Sequence, residues 1–190
     1  GPEQPIPAAD VIILPGSKST ASDLAWLKHQ GWDNAIQRHL RYGGKVLGIC
    51  GGFQMLGEWV DDPDGLEGQP GKVAGLGLIP LTTRMVPGKQ LRNVSGVLVG
   101  KTATVTGYEI HNGVSEGPAL SRPLFDINGR SEGSVSDDGQ IIGTYLHGLF
   151  DHPEACHALL KQLGLADGEQ NDYQAHRERE LDRLADMLEA

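Results

Sequence analysis

Basic charge is scarce in this 190-residue chain: 16 Lys and Arg stand against 25 Asp and Glu, for a formal net charge of -9. With no basic run anywhere, that balance argues against nucleic acid as a partner, because phosphate binding concentrates Lys and Arg on one face. Long apolar runs are missing too. No stretch approaches the roughly 18 residues of a membrane span, and the N-terminus lacks the charged and apolar regions of a signal peptide. The expectation is a cytoplasmic protein with no membrane partner. Cysteine occurs only at Cys50 and Cys156, which excludes a disulfide framework and suits a reducing compartment. There is no internal repeat and no low-complexity tract. A hydrophobic share of 38% with 22% charged residues excludes disorder over most of the length, and that length suits one domain with a sizeable core.

What is present reads first as alternating strands and helices. Val11 to Leu14 is an unbroken apolar run, as expected of a strand covered on both faces, and it ends at Pro15-Gly16-Ser17. Helices are expected near Ser22 to His29 and Asp33 to Tyr42, the second stopped by Gly43-Gly44. Lys45 to Ile49 forms the next strand, and Phe53, Met55, Leu56 and Trp59 fit a helix packed back on the sheet. This order predicts parallel pairing with right-handed crossovers. Asp61 to Gly71 is acidic and rich in Gly and Pro, the signature of an exposed loop. Leu81 to Ile110 is rich in Thr and Val, which predicts antiparallel strands. Asn128-Gly129 and Asp138-Gly139 are tight-turn dipeptides, and the second predicts a hairpin of Ser131 to Val135 against Ile141 to Leu146. Pro153 to Leu163 and Asp172 to Leu188 complete the pattern as helices. The fold class is therefore α/β, an open and mostly parallel sheet flanked by helices, with antiparallel strands in the C-terminal half.

The chemistry concentrates in Gly48-Ile49-Cys50-Gly51-Gly52-Phe53. A thiol between glycines, directly after a strand and before a helix, is the pattern of a nucleophile elbow with cysteine in the serine's place. A helix N-terminus favours the thiolate. The competing structural reading is a buried cysteine in a tight strand-helix joint. Gly143-Thr144-Tyr145-Leu146-His147-Gly148 places a histidine at the end of another strand, and reactive groups of an open α/β sheet gather at the carboxyl ends of its strands. A thiol and an imidazole meeting there would form the activated pair of cysteine acyl transfer. The oxyanion of such a reaction needs two donors, for which the backbone N–H groups of Gly51 and Gly16 are the candidates. Gln54, one helical turn beyond Cys50, could reach an occupant of the site.

Four segments, Leu14-Pro15-Gly16-Ser17-Lys18, GICGGFQML from Gly48, GYEIHNG from Gly107 and GTYLHGLFD from Gly143, resemble in order and spacing the class I glutamine amidotransferase domain of the cobyric acid synthases. The resemblance runs nearly the whole chain, including Tyr173 to Leu188. It implies the flavodoxin-like fold of that class. It further implies that Cys50 attacks the side-chain amide of L-glutamine, that His147 is the acid/base partner, and that Gly16 and Gly51 form the oxyanion hole. Gln54, Tyr108, Glu109 and His111 would be substrate-binding. No cofactor is implied for this domain. ATP and Mg belong to a synthetase domain that the family carries N-terminal in the same polypeptide, through which the released ammonia reaches corrin-ring carboxylates on the way to vitamin B12. The chain accordingly reads as the amidotransferase part of a larger enzyme.

The sequence departs from the wider class at one position. Most class I amidotransferases carry a glutamate two residues after the histidine, where this chain has Leu149, so the third triad member is missing. Glu109 is a nearby substitute, better read as stabilising its own loop or contacting substrate. His152, Cys156 and His157 stand close together, but a structural zinc wants four ligands and no metal is expected. Rival readings are the amidotransferase domain of cobyrinic acid a,c-diamide synthase or of the ligase amidating peptidoglycan precursors. Further rivals are a cysteine α/β-hydrolase using Glu109, Glu116 or Asp126 as its acid, and a catalytically silent binding module.

Overall fold

The structure is a computed structural model that describes residues 4–165, 179, 182 and 183. The expected helix over Asp172 to Leu188 lies almost wholly outside the described residues. In chain order the elements are β1 (Val11–Leu14), α1 (Thr20–His29), α2 (Trp32–Arg41), β2 (Lys45–Ile49), α3 (Gly51–Leu56), β3 (Trp59–Asp62) and β4 (Gly71–Ala74). Then follow β5 (Thr82–Leu98), β6 (Thr104–Glu116), β7 (Phe125–Ile127), β8 (Arg130–Glu132), β9 (Ser134–Val135), β10 (Ile141–Thr144), β11 (Leu146–His147) and α4 (Pro153–Gln162).

The strands form two open sheets in a mixed α/β fold. One runs β1-β2-β10-β9, with β1, β2 and β10 parallel and β9 joined to β10 by the hairpin that Asp138-Gly139 closes. The other runs β11-β6-β5-β3-β4 and is built around the long antiparallel pair β5 and β6. Antiparallel pairing therefore starts at β3, before the midpoint of the chain.

The strand over Val11 to Leu14 is not covered on both faces as expected, because β1 lies at the sheet edge and leaves Ile13 46% exposed. Alternation along β2 explains how the centre of the sheet is buried on both sides. Val46 packs with Leu27, Ile36, Phe53 and Leu56 of the three helices on one face, while Leu47 packs with Ile142, Leu159 and Leu163 toward α4 on the other. Each such buried aliphatic side chain contributes about 2 kcal/mol of transfer free energy. Gly143 on β10 belongs to the same packing, since a Cβ there would lie 2.0 Å from Cδ2 of Phe53. The ring of Phe53 occupies the space that a side chain at 143 would need.

Two expectations are corrected. Trp59 does not extend the helix after Cys50: α3 ends at Leu56, and Gly57 leaves it in extended backbone (φ -70°, ψ -174°). A Cβ on Gly57 would meet the Leu81 carbonyl oxygen at 2.4 Å, so the chain turns there against β5 and Trp59 opens a strand paired with Ala74 and Thr82. The acidic segment from Asp61 is also more than an exposed loop. Asp62 is buried, and its carboxylate accepts the N–H groups of Leu66 (2.8 Å) and Glu67 (2.9 Å). The Glu67 side chain then accepts the Thr20 N–H at 2.8 Å and docks the loop on the start of α1.

Candidate active site

Cys50 stands where β2 ends and α3 begins, with φ 53° and ψ -110°. A non-glycine residue in that region is strained, and the bend has the backbone geometry expected of a nucleophile elbow. Gly48 and Gly52 serve a different purpose from backbone freedom. A Cβ on Gly52 would lie 2.0 Å from the Leu14 carbonyl oxygen, and one on Gly48 would lie 2.7 Å from the Gly52 carbonyl oxygen. The glycines let β1, β2 and α3 press together while the cysteine carries the bend. The Cys50 N–H donates to the Thr144 carbonyl at 2.8 Å, tying the elbow to β10, and the thiol lies 3.5 Å from the Ile110 carbonyl oxygen. Only 8% of the residue is exposed.

Gly16, Cys50 and His147 converge although they come from the ends of three elements. A Cβ built on Gly16 would lie 3.3 Å from Cε1 of His147 and 3.7 Å from Cβ of Cys50, so one point adjoins both side chains. Gly51 packs on the same turn, its would-be Cβ 2.8 Å from the Ser17 nitrogen. As the first residue of α3, Gly51 has an N–H that the helix itself cannot satisfy. Parallel strands β1, β2 and β10 all deliver their carboxyl ends here, which is where the topology of an open sheet leaves a crevice.

His147 sits on the two-residue strand β11, opposite Tyr108 of β6. The rings are stacked, 5.0 Å between centroids and 6° from parallel. Burial depresses its basicity, and His111 nearby pushes the same way, so the neutral imidazole is favoured. Among the described residues its Nε2 is a buried nitrogen without a hydrogen-bond partner.

Glu109 does not orient this histidine. It pairs with Leu146 in the register, one residue before His147, and successive strand residues point to opposite faces. Its carboxylate instead receives Arg92 at 2.7 Å and Arg130 at 2.5 Å while remaining only 1% exposed. Burial by itself would raise this carboxyl, but the two guanidiniums outweigh it and hold it below the usual range. Asp126 is likewise engaged elsewhere, accepting the Gly129 N–H in its own turn at 2.6 Å.

Tyr108, Glu109 and His111, adjacent in the sequence, are therefore divided. Glu109 and His111 share a face with Arg92 and line a cavity of about 230 Å³, closed by Arg130, Glu132 and Tyr145. His111 Nδ1 lies 2.8 Å from the Gly113 carbonyl, which only accepts, so that nitrogen carries the hydrogen. A second cavity of about 260 Å³ adjoins His147 and is lined by Ile49 and residues 148–151. A larger one, about 570 Å³, lies at the edge of β1 between Ile12, Arg38 and Leu163, away from the thiol.

Gln54 is buried, not solvated. Its Oε1 accepts the Thr20 hydroxyl at 3.1 Å, and its Nε2 donates to the Tyr145 hydroxyl at 3.3 Å. Tyr145 also meets Ser115 Oγ at 2.6 Å and stacks on His111, with ring centroids 4.0 Å apart. Burial pushes its phenol up to about 12, so it stays protonated. The sequence reading missed Thr20, Arg92, Ser115, Arg130, Glu132 and Tyr145. Tyr145 had a signal, standing two residues before His147 inside a motif already singled out. The two arginines had none, since they meet Glu109 only through strand pairing. His152, Cys156 and His157 lie at or near the start of α4, where burial raises the Cys156 thiol. Among the described residues no three His, Cys, Asp or Glu side chains are grouped to hold a metal, and no helix is long and apolar enough to cross a membrane.

Solved structures share this architecture. A glutamine amidotransferase matches with TM-score 0.60 and 17% identity over 82% of this chain and 80% of that one. PurLQS from Thermotoga maritima matches with TM-score 0.50 and 20% identity over 85% of this chain and 76% of that one. At such identities the likeness concerns the fold. The sequence match to a family model is more specific: the model describing the CobB/CobQ-like glutamine amidotransferase domain matches residues 1–155, and this chain belongs to that family.

Proposed function

We propose that this chain is the glutaminase part of a cobyric acid synthase and that Cys50 and His147 carry its chemistry. The observation that supports this reading most directly is the single point beside Gly16 that adjoins both the His147 ring and the Cys50 side chain. His147 takes the thiol proton, and the sulfur attacks the side-chain carbonyl carbon of L-glutamine. The resulting oxyanion is met by the N–H groups of Gly16 and Gly51. Removing one such donor in other enzymes costs about 10² to 10³ in rate. His147 returns the proton to the leaving nitrogen, ammonia departs, and water then hydrolyses the thioester to glutamate. Gln54 has a second amide hydrogen, beyond the one given to Tyr145, to offer the substrate. The family resemblance assigns substrate contact to Glu109 and His111 as well; the charged cavity they line with Arg92 and Arg130 has neither Cys50 nor His147 in its wall, so any such contact is made away from the thiol.

The ammonia passes in this reading to a synthetase domain N-terminal in the same polypeptide. ATP and Mg serve that domain, and corrin-ring carboxylates are reached only through it. The setting is the cytoplasm. The test is to treat the protein with a glutamine-mimicking electrophile and locate the adduct by mass spectrometry. A Cys50 adduct that glutamine suppresses, with glutamine hydrolysis abolished in Cys50→Ala, is expected; labelling that ignores glutamine would point to a general hydrolase instead. Assay of the complete enzyme with glutamine as nitrogen source, against corrinoid and peptidoglycan-precursor carboxylates, separates the proposed acceptor from its rivals.

A further inference from the structure

We infer that Tyr108 is the positioning residue for His147, taking the place of the carboxylate that a catalytic triad would supply. The inference rests on the proposed glutaminase reading and reassigns Tyr108 from substrate contact to support of the base. His147 needs such support. Its strand, β11, is two residues long and makes only the register pairs Leu146 with Glu109 and His147 with Tyr108. Directly after it, Gly148 turns away at φ 82°. Two backbone pairs place the Cα of the histidine but leave its ring free to rotate about χ1 and χ2.

Among the described residues no carboxylate is hydrogen-bonded or ion-paired to that ring. Glu109 occupies the opposite face and is held by Arg92 and Arg130. Position 149, two after the histidine, is a leucine only 2% exposed, packed in the core beside Leu146 and Leu159. What does meet the imidazole is the Tyr108 ring, within 6° of parallel. The backbone is arranged to permit this approach, since a Cβ on Gly107 would lie 2.0 Å from the His147 carbonyl oxygen. On its other side Tyr108 is the register partner of Asn93, so its own Cα is held within a row of three strands. A stacked ring restricts the imidazole plane without supplying charge, and it leaves the edge of the imidazole free to exchange a proton with Cys50.

The test compares Tyr108→Phe, which keeps the ring, with Tyr108→Leu, which removes it. Both are read by glutamine hydrolysis, with kcat and KM separated. Tyr108→Phe is expected near wild type, and Tyr108→Leu is expected to lose about ten- to a hundredfold in kcat, the scale of a misplaced catalytic group, with KM little changed. A rise in KM at unchanged kcat would mean that Tyr108 binds substrate, and a Phe variant as poor as Leu would mean that the hydroxyl matters; either overturns the inference. So would a Leu variant as active as wild type. A measurement on the unaltered protein guards against a variant that does not fold: the ring protons of His147 are expected to be shifted upfield by the Tyr108 ring current, and ordinary shifts would refute the stack. Failure of the glutaminase reading itself is seen separately, as wild-type protein that does not hydrolyse glutamine and is not labelled at Cys50.

Discussion

Glu132 on β8 receives the Thr144 hydroxyl at 2.7 Å, in the residue whose carbonyl accepts the Cys50 N–H. The same carboxyl takes the Tyr145 N–H, also at 2.7 Å. One buried acid thereby braces the corner between β10 and β11 from which both the elbow and His147 are hung. Its place in the low-dielectric interior pushes its pKa up from 4.5 to about 7, against the pull of those two hydrogen bonds.

A raised carboxyl favours the folded state while protonated. Its contribution is therefore full below the unfolded value of 4.5 and is lost as pH rises through about 7. The difference across that window is on the order of 3 kcal/mol. Glu132→Gln, which keeps an acceptor for Tyr145 and cannot ionise, should lose this decline and be the more stable protein at pH 8. Urea unfolding at pH 5, 6.5 and 8 measures it, and parallel curves for the two proteins would refute it.

Glu109 should behave in the opposite sense. Its carboxyl is held below 4.5 by the two arginines, so its contribution is present above the unfolded value and disappears as pH falls through the lowered folded one. Arg92 and Arg130 are themselves nearly half exposed, which limits the Coulombic part through solvent screening. Glu109→Gln is expected to cost about 1.5–3 kcal/mol at pH 7, the range of hydrogen bonds to charged groups, and to flatten the acid limb of stability. Acid titration of unfolding in the two proteins checks both.

Gly52→Ala places a methyl group 2.0 Å from the Leu14 carbonyl oxygen, and neither partner is a flexible side-chain end. The elbow must open or β1 must move. A loss of about 3 kcal/mol in stability is expected, together with loss of Cys50 labelling. Gly43→Ala is the comparison. Its Cβ would meet nothing within 4 Å, but the residue has φ 87°, so only backbone strain of about 1–2 kcal/mol should appear, without an effect on labelling.

Glu67→Ala removes the carboxylate that accepts the Thr20 N–H and anchors the segment after β3 to α1. A lost cap of this kind costs about 1 kcal/mol. Thr20 also holds Gln54 through its hydroxyl, so the substitution should loosen Gln54 and raise KM for glutamine more than it lowers kcat. Steady-state hydrolysis separates the two parameters.

Much of this was legible from residues near one another in the chain. The unbroken apolar run Val11 to Leu14 and the apolar pair Val46-Leu47 marked two strands of the parallel sheet, though only the second is covered on both faces. Turn dipeptides closed the hairpins at 128–129 and 138–139, and small residues around Cys50 marked the elbow. The bend at Cys50 is local and so is written in adjacent positions, while the need for glycine at 52 comes from the approach of β1.

The sequence by itself determined the alternation of strands and helices, the bend at Cys50 and the candidate pairing of a thiol with an imidazole, because each follows from local backbone preference or from strand-end topology. Only the tertiary structure decided which way each side chain faces. Tyr108 and Glu109 are neighbours in the chain, yet one stacks on His147 while the other joins two arginines across the sheet. The register of a two-residue strand sets that division. Register is a non-local property, since a shift by one residue would exchange the faces without altering a single amino acid.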